Sequence, residues 1–311
     1  MKQGQRGAAV IVAILIVTLA ASTAAFAIWQ QSLWVRQLEN ITDRARADQL
    51  ATSAIDVARD TLRQDKERGV DHPGEAWANT VTLPAENAVV DGVITDQQGL
   101  FNVNNLASGP LDGPYVKAFA KLLDNLNQNQ NRKPSMELAV AVAQYTRPDP
   151  SGLVDLYYLS LDPPYRAAQR ELTDIAELSR IKGFDADLVR SLAPYLTALP
   201  ATTAATLVNV NTTKPEVLAA LLPNLTLSAA KVLLEKQKEP FKGPQEFKAQ
   251  LPPTVVCGTG AGNCYDVKSS YFTATVRVKS GRVEAGYTAL LRRDPSPTAW
   301  PVILWRKDAA D

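Results

Sequence analysis

The pattern of apolar and polar positions begins with one long helix. No charged residue occurs between Ala8 and Trp29, and about 20 apolar residues in a helix cross the hydrocarbon core of a bilayer. The pattern then becomes amphipathic without a break, because neither proline nor glycine occurs from Ala8 to Arg68. We therefore expect one helix of about 60 residues, half in lipid and half amphipathic. The apolar positions of its second half are Leu33, Leu38, Ile41, Leu50, Ile55, Ala58 and Leu62.

Strand patterns occur on both sides of the middle of the chain. Apolar residues between 88 and 107 flank two pairs of turn residues, Asp91–Gly92 and Gln98–Gly99. Such pairs are typical of tight turns, so we expect a pair of short strands here. After Pro252–Pro253 the period of two returns in SYFTATVRVKSGRVEAGYTALLRRD and WPVILWRK, with a hairpin turn at Ser280–Gly281.

The middle of the chain, from Pro114 to about Leu251, has helical spacing. Gly183 separates two short predicted helices, and three more follow residue 208. Thr212 or Thr213 is the expected N-cap of the first of these three, with Pro215 near its first position. The order of these elements, strands followed by a helical block and then by strands, predicts an α+β fold. In this fold a sheet carries an inserted helical domain.

Composition and charge argue against several classes of function. The chain has 33 Lys and Arg against 32 Asp and Glu, whereas proteins that bind nucleic acid by bulk electrostatics are normally basic. One histidine, His72, and two cysteines are too few for most metal or histidine-based catalytic sites. No G-x-S-x-G or Walker pattern occurs. We therefore expect no enzyme and no nucleic-acid partner.

The charges before the apolar run predict its orientation. Lys2 and Arg6 precede the run, and positive residues there place the N-terminus in the cytoplasm. We expect a single pass through the inner membrane, with the rest of the chain in the periplasm of a Gram-negative cell. A signal peptide is the alternative, because STAAFA (Ser22–Ala27) imitates a cleavage site. The length of the apolar run and its unbroken continuation argue against cleavage there.

The two cysteines, Cys257 and Cys264, flank the flexible loop GTGAGN. In the periplasm a pair at this spacing is expected to form a disulfide. Two free thiols or a metal site are the alternatives, and the metal site is poor because no histidine lies nearby.

Residues 207–250 look like a helix-hairpin-helix element, a fold often used to grip the DNA backbone. Such grips use glycines that expose backbone N–H groups to phosphate. The hairpin here, LPNLT, contains no glycine. We therefore expect a module that packs against protein, with DNA binding as the alternative.

The leader and first helix resemble those of type IV prepilin-like proteins. In that class a prepilin peptidase cuts after a glycine and the new first residue is N-methylated, and the matching residues here are Gly7 and Ala8. Most members carry a glutamate at the fifth mature position, which is thought to pair with the free amine of a neighbouring subunit. Val12 stands at that position here. Because a carboxylate within the membrane needs a partner, its absence suits a subunit with no neighbour above it.

Nearly the whole chain resembles the K-type minor pseudopilin family of the type II secretion system (general secretion pathway protein K). The specific segments are GLFNVNNL and YYLSLDPPYRAAQRELTDIAEL, with support from RGAAVIVAILIVTLA, DHPGEAWA, VNVNTTKPEVLAAL and PFKGPQEF. The resemblance implies a type IV pilin-like fold, with a long N-terminal helix, an antiparallel sheet and a large inserted all-α domain. The implied divisions are the prepilin leader (1–7), the transmembrane helix (8–29), the lower pilin helix with the first strands (30–107), the inserted helical domain including the helix-hairpin-helix-like 207–250 (108–251), and the C-terminal strands that complete the sheet (252–311).

The resemblance also implies a function. Such proteins cap the tip of a short pseudopilus that pushes folded proteins through an outer-membrane secretin. The implied partners are the I-, J- and H-type minor pseudopilins and prepilin peptidase, with the secretin or the secreted cargo as further expected contacts. One rival is a type IV pilus or competence tip protein that binds DNA, and the other is a secreted enzyme with an ordinary signal peptide.

A calcium site is a further implication of the resemblance. Family members are similar in having an acid-rich loop before YYLSLDPPYR that binds calcium, an ion that takes about six to eight oxygen ligands. Here the loop, AQYTRPDPSGLVDLYYLSLD, offers only Asp149, Asp155 and Asp162. These three residues are the candidate ligands. A reduced or lost site is the alternative, because Asp149 and Asp162 also suit turns beside prolines.

Overall fold

The N-terminal helix dominates the shape of the molecule. The computed structural model describes residues 4–85, 88–126, 134–200, 204–237, 239–257, 263–296 and 298–308. One helix, α1, runs from Gly4 to Gln64, 61 residues, which confirms the length predicted from the lack of helix breakers. All of its side chains from Ala9 to Thr42 are exposed. This half is apolar and long enough to cross a membrane, with a mean hydropathy of 2.5 in its most apolar window.

A five-stranded antiparallel sheet follows, with its strands in chain order. The bounds are β1 Val81–Ala85, β2 Ala88–Asp96, β3 Tyr271–Ser280, β4 Val283–Arg292 and β5 Val302–Asp308. Strand β2 pairs with β3 along its whole length, from Ala88 opposite Ser280 to Asp96 opposite Phe272. The chain therefore leaves the sheet at Asp96 and returns beside it at Tyr271, with the helical insertion between two neighbouring strands.

The second half of α1 packs across one face of this sheet. Its buried residues recur every three or four positions, as an amphipathic helix requires, and comprise Ala47, Ala51, Ile55, Ala58 and Leu62. They share a core with residues of β2, β3 and β4, among them Ile94, Phe272 and Tyr287. The predicted apolar face is confirmed at Ile55, Ala58 and Leu62. Leu33, Leu38 and Ile41, which continue the same pattern, are exposed.

The insertion is a compact helical unit with its own core. Its helices are α2 Pro114–Asn125, α3 Ser135–Thr146, α4 Leu153–Leu159, α5 Ala186–Leu192, α6 Pro215–Leu221, α7 Leu227–Glu235 and α8 Pro244–Ala249, with 3₁₀ turns at Val103–Ala107 and Ile175–Arg180. Phe119 lies at the centre of the core, with its ring stacked on Phe101 at 5.7 Å and on Phe184 at 6.5 Å between centroids. The sheet and this helical unit confirm the predicted α+β fold with a helical insert. The boundaries of the predicted domains stay a prediction.

The predicted tight turn at Asp91–Gly92 is wrong. Strand β2 runs straight through these residues, and Gly92 pairs with Val81 on one side and Val276 on the other. The Asp91 carboxylate accepts a hydrogen bond of 2.6 Å from the hydroxyl of Thr82 on β1. A side-chain bond across two strands therefore replaces the expected turn. The turns predicted at Gln98–Gly99 and Ser280–Gly281 are confirmed.

Two local predictions in the insertion are also wrong. The N-cap of α6 is Lys214, and neither Thr212 nor Thr213 caps the helix, although Pro215 does begin it. The Thr212 hydroxyl binds the carboxylate of Asp96 instead. The segment before YYLSLDPPYR was expected to be a loop, yet it contains the helix α4.

Candidate functional site

The exposed half of α1 is the first candidate assembly surface. In the isolated chain large apolar side chains here face outward, including Trp34, Val35, Leu38 and Ile41. Exposed apolar surface of this extent on a helix marks contact with lipid or with another protein. Val12 lies within this surface. The backbone of Gly7 and Ala8 belongs to α1, while their side chains lie outside the described residues, and cleavage between them stays a prediction.

The junction between the sheet and the insertion is a network of buried polar groups around Asp96, the last residue of β2. Its Oδ2 accepts hydrogen bonds from the Thr212 hydroxyl at 2.5 Å, the Ser269 hydroxyl at 2.7 Å and the Asn209 amide at 3.0 Å. Its Oδ1 accepts from the backbone N–H of Gln98 at 2.8 Å. Burial raises the pKa of the Asp96 carboxyl above its usual range. One side chain thus ties the end of β2 to the loops that contain Asn209, Thr212 and Ser269.

A buried arginine joins the end of α1 to the same junction. The guanidinium of Arg293 lies 2.5 Å from carboxylate oxygens of both Asp65 and Asp71, and all three side chains are buried. Arg293 also donates to the backbone carbonyl of Ser269 at 2.8 Å. The second oxygen of Asp71 has no hydrogen-bond partner. Burial raises the pKa of Asp71 to about 6, against the opposing effect of Arg293.

Glu75 completes an acidic group with Asp65 and Asp71. Within the described part of the chain, this is the one group of three candidate metal-ligating side chains whose ligand atoms lie within 4.8 Å of one another. Burial raises the pKa of Glu75 to about 7, and the charges of Asp65 and Asp71 add to the increase. The backbone N–H of His72 donates to Glu75 at 2.7 Å. Because Arg293 already pairs with two of the carboxylates, we interpret the group as an ion-pair network.

The candidate calcium ligands are not gathered in this way. Asp149 accepts from the backbone N–H and the hydroxyl of Ser151 and from the backbone N–H of Val154. Asp155 is buried and accepts from the backbone N–H of Ala167. Asp162 is exposed. Calcium needs several oxygens turned toward one point. Asp149 and Asp155 accept from donors of the chain, and among the described residues the three candidates do not form a group of ligand atoms within reach of one ion, so they do not fit it.

The α6–α7 hairpin, within the helix-hairpin-helix-like residues 207–250, faces the protein. Lys121 of α2 donates hydrogen bonds from its ammonium group to the carbonyls of Leu222, Pro223 and Leu225, at 3.1, 2.8 and 3.0 Å. Burial lowers the pKa of Lys121. A hairpin that grips DNA presents N–H groups to phosphate, whereas this one presents carbonyls to an internal lysine. The geometry favours the packing module.

The cysteines are joined. Cys257 and Cys264 form a disulfide bond, with their Cα atoms 5.7 Å apart. Cys264 is buried against the core of the insertion and is followed by Tyr265, whose short pairing with Val208 ties this loop to the start of the α6 segment. The disulfide therefore closes the C-terminal edge of the insertion, just before the chain returns to the sheet.

Sequence reasoning missed the polar junction. Asp96, Asn209, Ser269 and Arg293 are far apart in the chain, and none stands in a motif that predicts its partner. The available signal was an aspartate at the end of a strand of apolar residues, where a charge that is not exposed must be paired.

Sequence comparison finds relatives over almost the whole chain. Two models of the family described as type II secretion system (T2SS), protein K, match residues 99–201 and 208–256. A type II secretion system protein K of Aeromonas hydrophila is 33% identical over 305 residues, which cover 90% of this chain and 91% of the relative. The protein K of Pectobacterium carotovorum subsp. carotovorum is 29% identical, with 94% of this chain and 93% of the relative covered.

The fold also has a solved counterpart. One chain of the crystal structure of the GspK-GspI-GspJ complex from the enterotoxigenic Escherichia coli type 2 secretion system matches with a TM-score of 0.69 at 25% sequence identity. The match covers 93% of this chain and 99% of that chain. Because so little of either chain is left out, the likeness includes the sheet and the insertion together.

Proposed function

Because the chain belongs to the type II secretion system protein K family, we propose that it caps the tip of a secretion pseudopilus, bound to I- and J-type minor pseudopilins. Membership of the family makes it a minor pseudopilin. The observation that carries the finer proposal is the match over 93% of this chain to a chain of a GspK-GspI-GspJ complex. In this proposal the protein catalyses no reaction, and it takes part in initiating the pseudopilus with an H-type subunit beside the other two.

The placement of the insertion supports a position at the end of the filament. The insertion leaves the sheet between the neighbouring strands β2 and β3 and is larger than the rest of the described head. A subunit in the middle of a helical filament has neighbours above and below its sheet. A subunit at the tip has none above, so a broad head can be accommodated there.

The first helix supports the anchoring and packing steps of the proposal. Its exposed apolar half fits a single-pass anchor, and we propose that this anchor lies in the inner membrane with the head in the periplasm. Prepilin peptidase cleaves between Gly7 and Ala8 in this scheme. The apolar helix then moves from lipid to the packed helices of the tip, where Val12 needs no carboxylate because no subunit follows above it.

The assembly step is tested by placing charge on the exposed face of α1. Leu38 and Ile41 are each 66% exposed, so the double variant Leu38→Arg and Ile41→Arg leaves the core of the head intact. We expect the variant to lose co-purification with the I- and J-type subunits from detergent-solubilised membranes, because a charge buried in a helix interface must be paired.

The matched control is Val232→Arg on α7, an exposed apolar residue of the insertion. It introduces an arginine at an exposed apolar position outside α1, and co-purification should persist. If the double variant on α1 binds both subunits as well as the unmodified chain does, the proposed assembly surface is wrong.

Processing is tested by the mass and N-terminal sequence of the mature protein. Cleavage after Gly7, with a methylated Ala8, is the expected result in cells that contain prepilin peptidase. Cleavage near Ala27 would identify an ordinary signal peptide and remove the membrane anchor from the account.

A further inference from the structure

The segment from Arg147 to Gln169 is held in place by the chain's own hydrogen bonds. It contains all three carboxylates that the family resemblance offers to calcium, and it lies over the core of the insertion between α3 and the turn at Ile175–Arg180. Hydrogen bonds to its acidic side chains hold α4 from its N-terminal side and from its buried side.

The N-terminal side of α4 is fixed by Asp149. Its Oδ1 accepts from the N–H and the hydroxyl of Ser151, at 3.1 and 2.5 Å, and its Oδ2 accepts from the N–H of Val154 at 2.8 Å. These bonds lower the pKa of Asp149, with the Ser151 hydroxyl as the largest cause. The carboxylate thus satisfies N–H groups in the first turn of the helix, which is the role of a capping residue.

The buried side of α4 is fixed by Asp155. Its Oδ1 accepts from the N–H of Ala167 at 2.9 Å, and Gln169 donates its side-chain amide to Oδ2 at 3.5 Å. Gln169 in turn donates its backbone N–H to the carbonyl of Tyr145 on α3, at 2.9 Å. Asp155 therefore ties α4 to the segment containing Ala167 and Gln169.

A positive charge stands at the start of the segment. Arg147 follows α3, and its guanidinium donates to the carbonyl of Leu106 at 2.5 Å and to that of Pro110 at 3.3 Å. A guanidinium in this position crosslinks two loops with hydrogen bonds.

From this geometry we propose that the segment 147–169 is ordered without calcium, by hydrogen bonds that Arg147 donates to Leu106 and Pro110 and that the carboxylates of Asp149 and Asp155 accept from the chain. The insertion keeps its shape and stability whether or not divalent cations are present. The family-implied calcium loop is, in this chain, a hydrogen-bonded clamp.

The test is thermal unfolding of the full chain in detergent, with a calcium chelator and then with excess calcium. An ion present at about 100 times its dissociation constant would raise the melting temperature of the folded state by several degrees. We expect the two melting temperatures to coincide. We further expect Asp155→Ala to lower both by the same amount, because the lost bonds are to the chain.

Terbium luminescence provides a second readout that does not depend on unfolding. Tyr157 and Tyr158 of α4 lie beside the candidate ligands and would sensitise emission from a lanthanide bound there. We expect that neither Asp149→Asn nor Asp155→Asn lowers the terbium emission. Emission removed by Glu75→Gln alone would come from a metal at the other acidic group and would leave the clamp intact.

The proposal is overturned if calcium raises the melting temperature and either Asp149→Asn or Asp155→Asn abolishes that rise. Asp187→Asn, at an exposed ion pair with Arg190 on α5, is the matched control for removing one negative charge. Asp149→Asn also guards against a failure of Asp155→Ala to fold, because Asp149 lies at the surface end of the clamp.

Discussion

The sheet contacts both the lower half of α1 and the insertion, and the main contacts of the two differ in kind. The lower half of α1 is held by apolar side chains, with Ala51, Ile55 and Leu62 buried against the sheet. The insertion is held by the hydrogen bonds of Asp96 with Thr212 and Ser269 and by the bond from Arg293 to the Ser269 carbonyl. The ion pairs of Arg293 with Asp65 and Asp71 fix the end of α1 at the same junction. Apolar packing is not directional, whereas a buried polar network is satisfied in only one arrangement. The first contact supplies stability and the second fixes how the insertion is oriented on the filament subunit.

This difference suits a tip subunit. An insertion that meets other components must present the same surface each time, and the network at its base limits its rotation. Four measurements test whether the two contacts differ in this way.

The largest effect is expected from removing the arginine of the polar junction. Arg293→Ala leaves the buried carboxylates of Asp65 and Asp71 without their counter-charge, which costs about 3–5 kcal/mol of the free energy of unfolding. Urea denaturation measures the loss. Arg190→Ala, from an exposed ion pair, is the control and should cost under about 1 kcal/mol. Equal losses in the two variants would contradict the role given to Arg293.

A comparable loss on the apolar side is expected from Leu62→Ala. Leu62 has no exposed surface, and truncation of a buried leucine costs about 2–5 kcal/mol through lost transfer energy and the cavity left behind. Leu38→Ala makes the same change on the exposed half of α1 and should alter stability by no more than about 0.5 kcal/mol. Urea denaturation of these two variants shows whether the two halves of α1 differ in their contribution to stability, as their burial indicates.

A smaller loss is expected from Thr212→Val at the polar junction. The substitution keeps the shape of the side chain and removes the hydroxyl that donates to Asp96. A hydrogen bond to a charged group contributes about 1.5–3 kcal/mol. If the junction fixes orientation, limited proteolysis near residue 270 should also become faster. Unchanged stability and unchanged cleavage would show that Asp96 is held by its other partners alone.

The smallest effect is a dependence of stability on pH. The folded state raises the pKa of Asp71 from 3.8 to about 6 and that of Glu75 from 4.5 to about 7, mainly through burial. The native state then binds more protons than the unfolded state over this range, so the stability contribution is full below about pH 4 and is lost as the pH rises to about 7. Urea denaturation across this range should show Glu75→Gln flattening the upper part of the decline. If Glu75→Gln leaves the dependence of the free energy of unfolding on pH unchanged, Glu75 is not the group responsible. The charged or titratable neighbours of Glu75 are Asp65, Asp71, His72 and Arg293.

The sequence predicted the elements that depend on local pattern. The length of α1 follows from the lack of proline and glycine over 8–68, and the helical insert follows from spacing. The pairing of β1 with β2 could not be predicted, because Asp91–Gly92 is a common hairpin signal and its partner Thr82 lies on a strand whose pattern was not recognised.

The partners of Asp96 and the surroundings of the three candidate calcium ligands could not be predicted for a common reason. Asp96 meets Asn209, Thr212 and Ser269 only after the chain has formed the whole insertion, so no local pattern identifies them. The three candidate calcium ligands are close in sequence, yet α4 turns Asp155 inward and leaves Asp162 exposed. Spacing in the sequence does not reveal which donors of the chain will occupy a carboxylate.

The measurement that tests the account most directly is the position of this subunit on assembled pseudopili. Leu153 is exposed on α4 of the insertion, so Leu153→Cys can carry a gold label without disturbing the core. Electron microscopy of labelled filaments should show one label at one end of each filament. Labels spaced along the filament shaft would mean that the insertion is accommodated between subunits, and the capping function would be wrong.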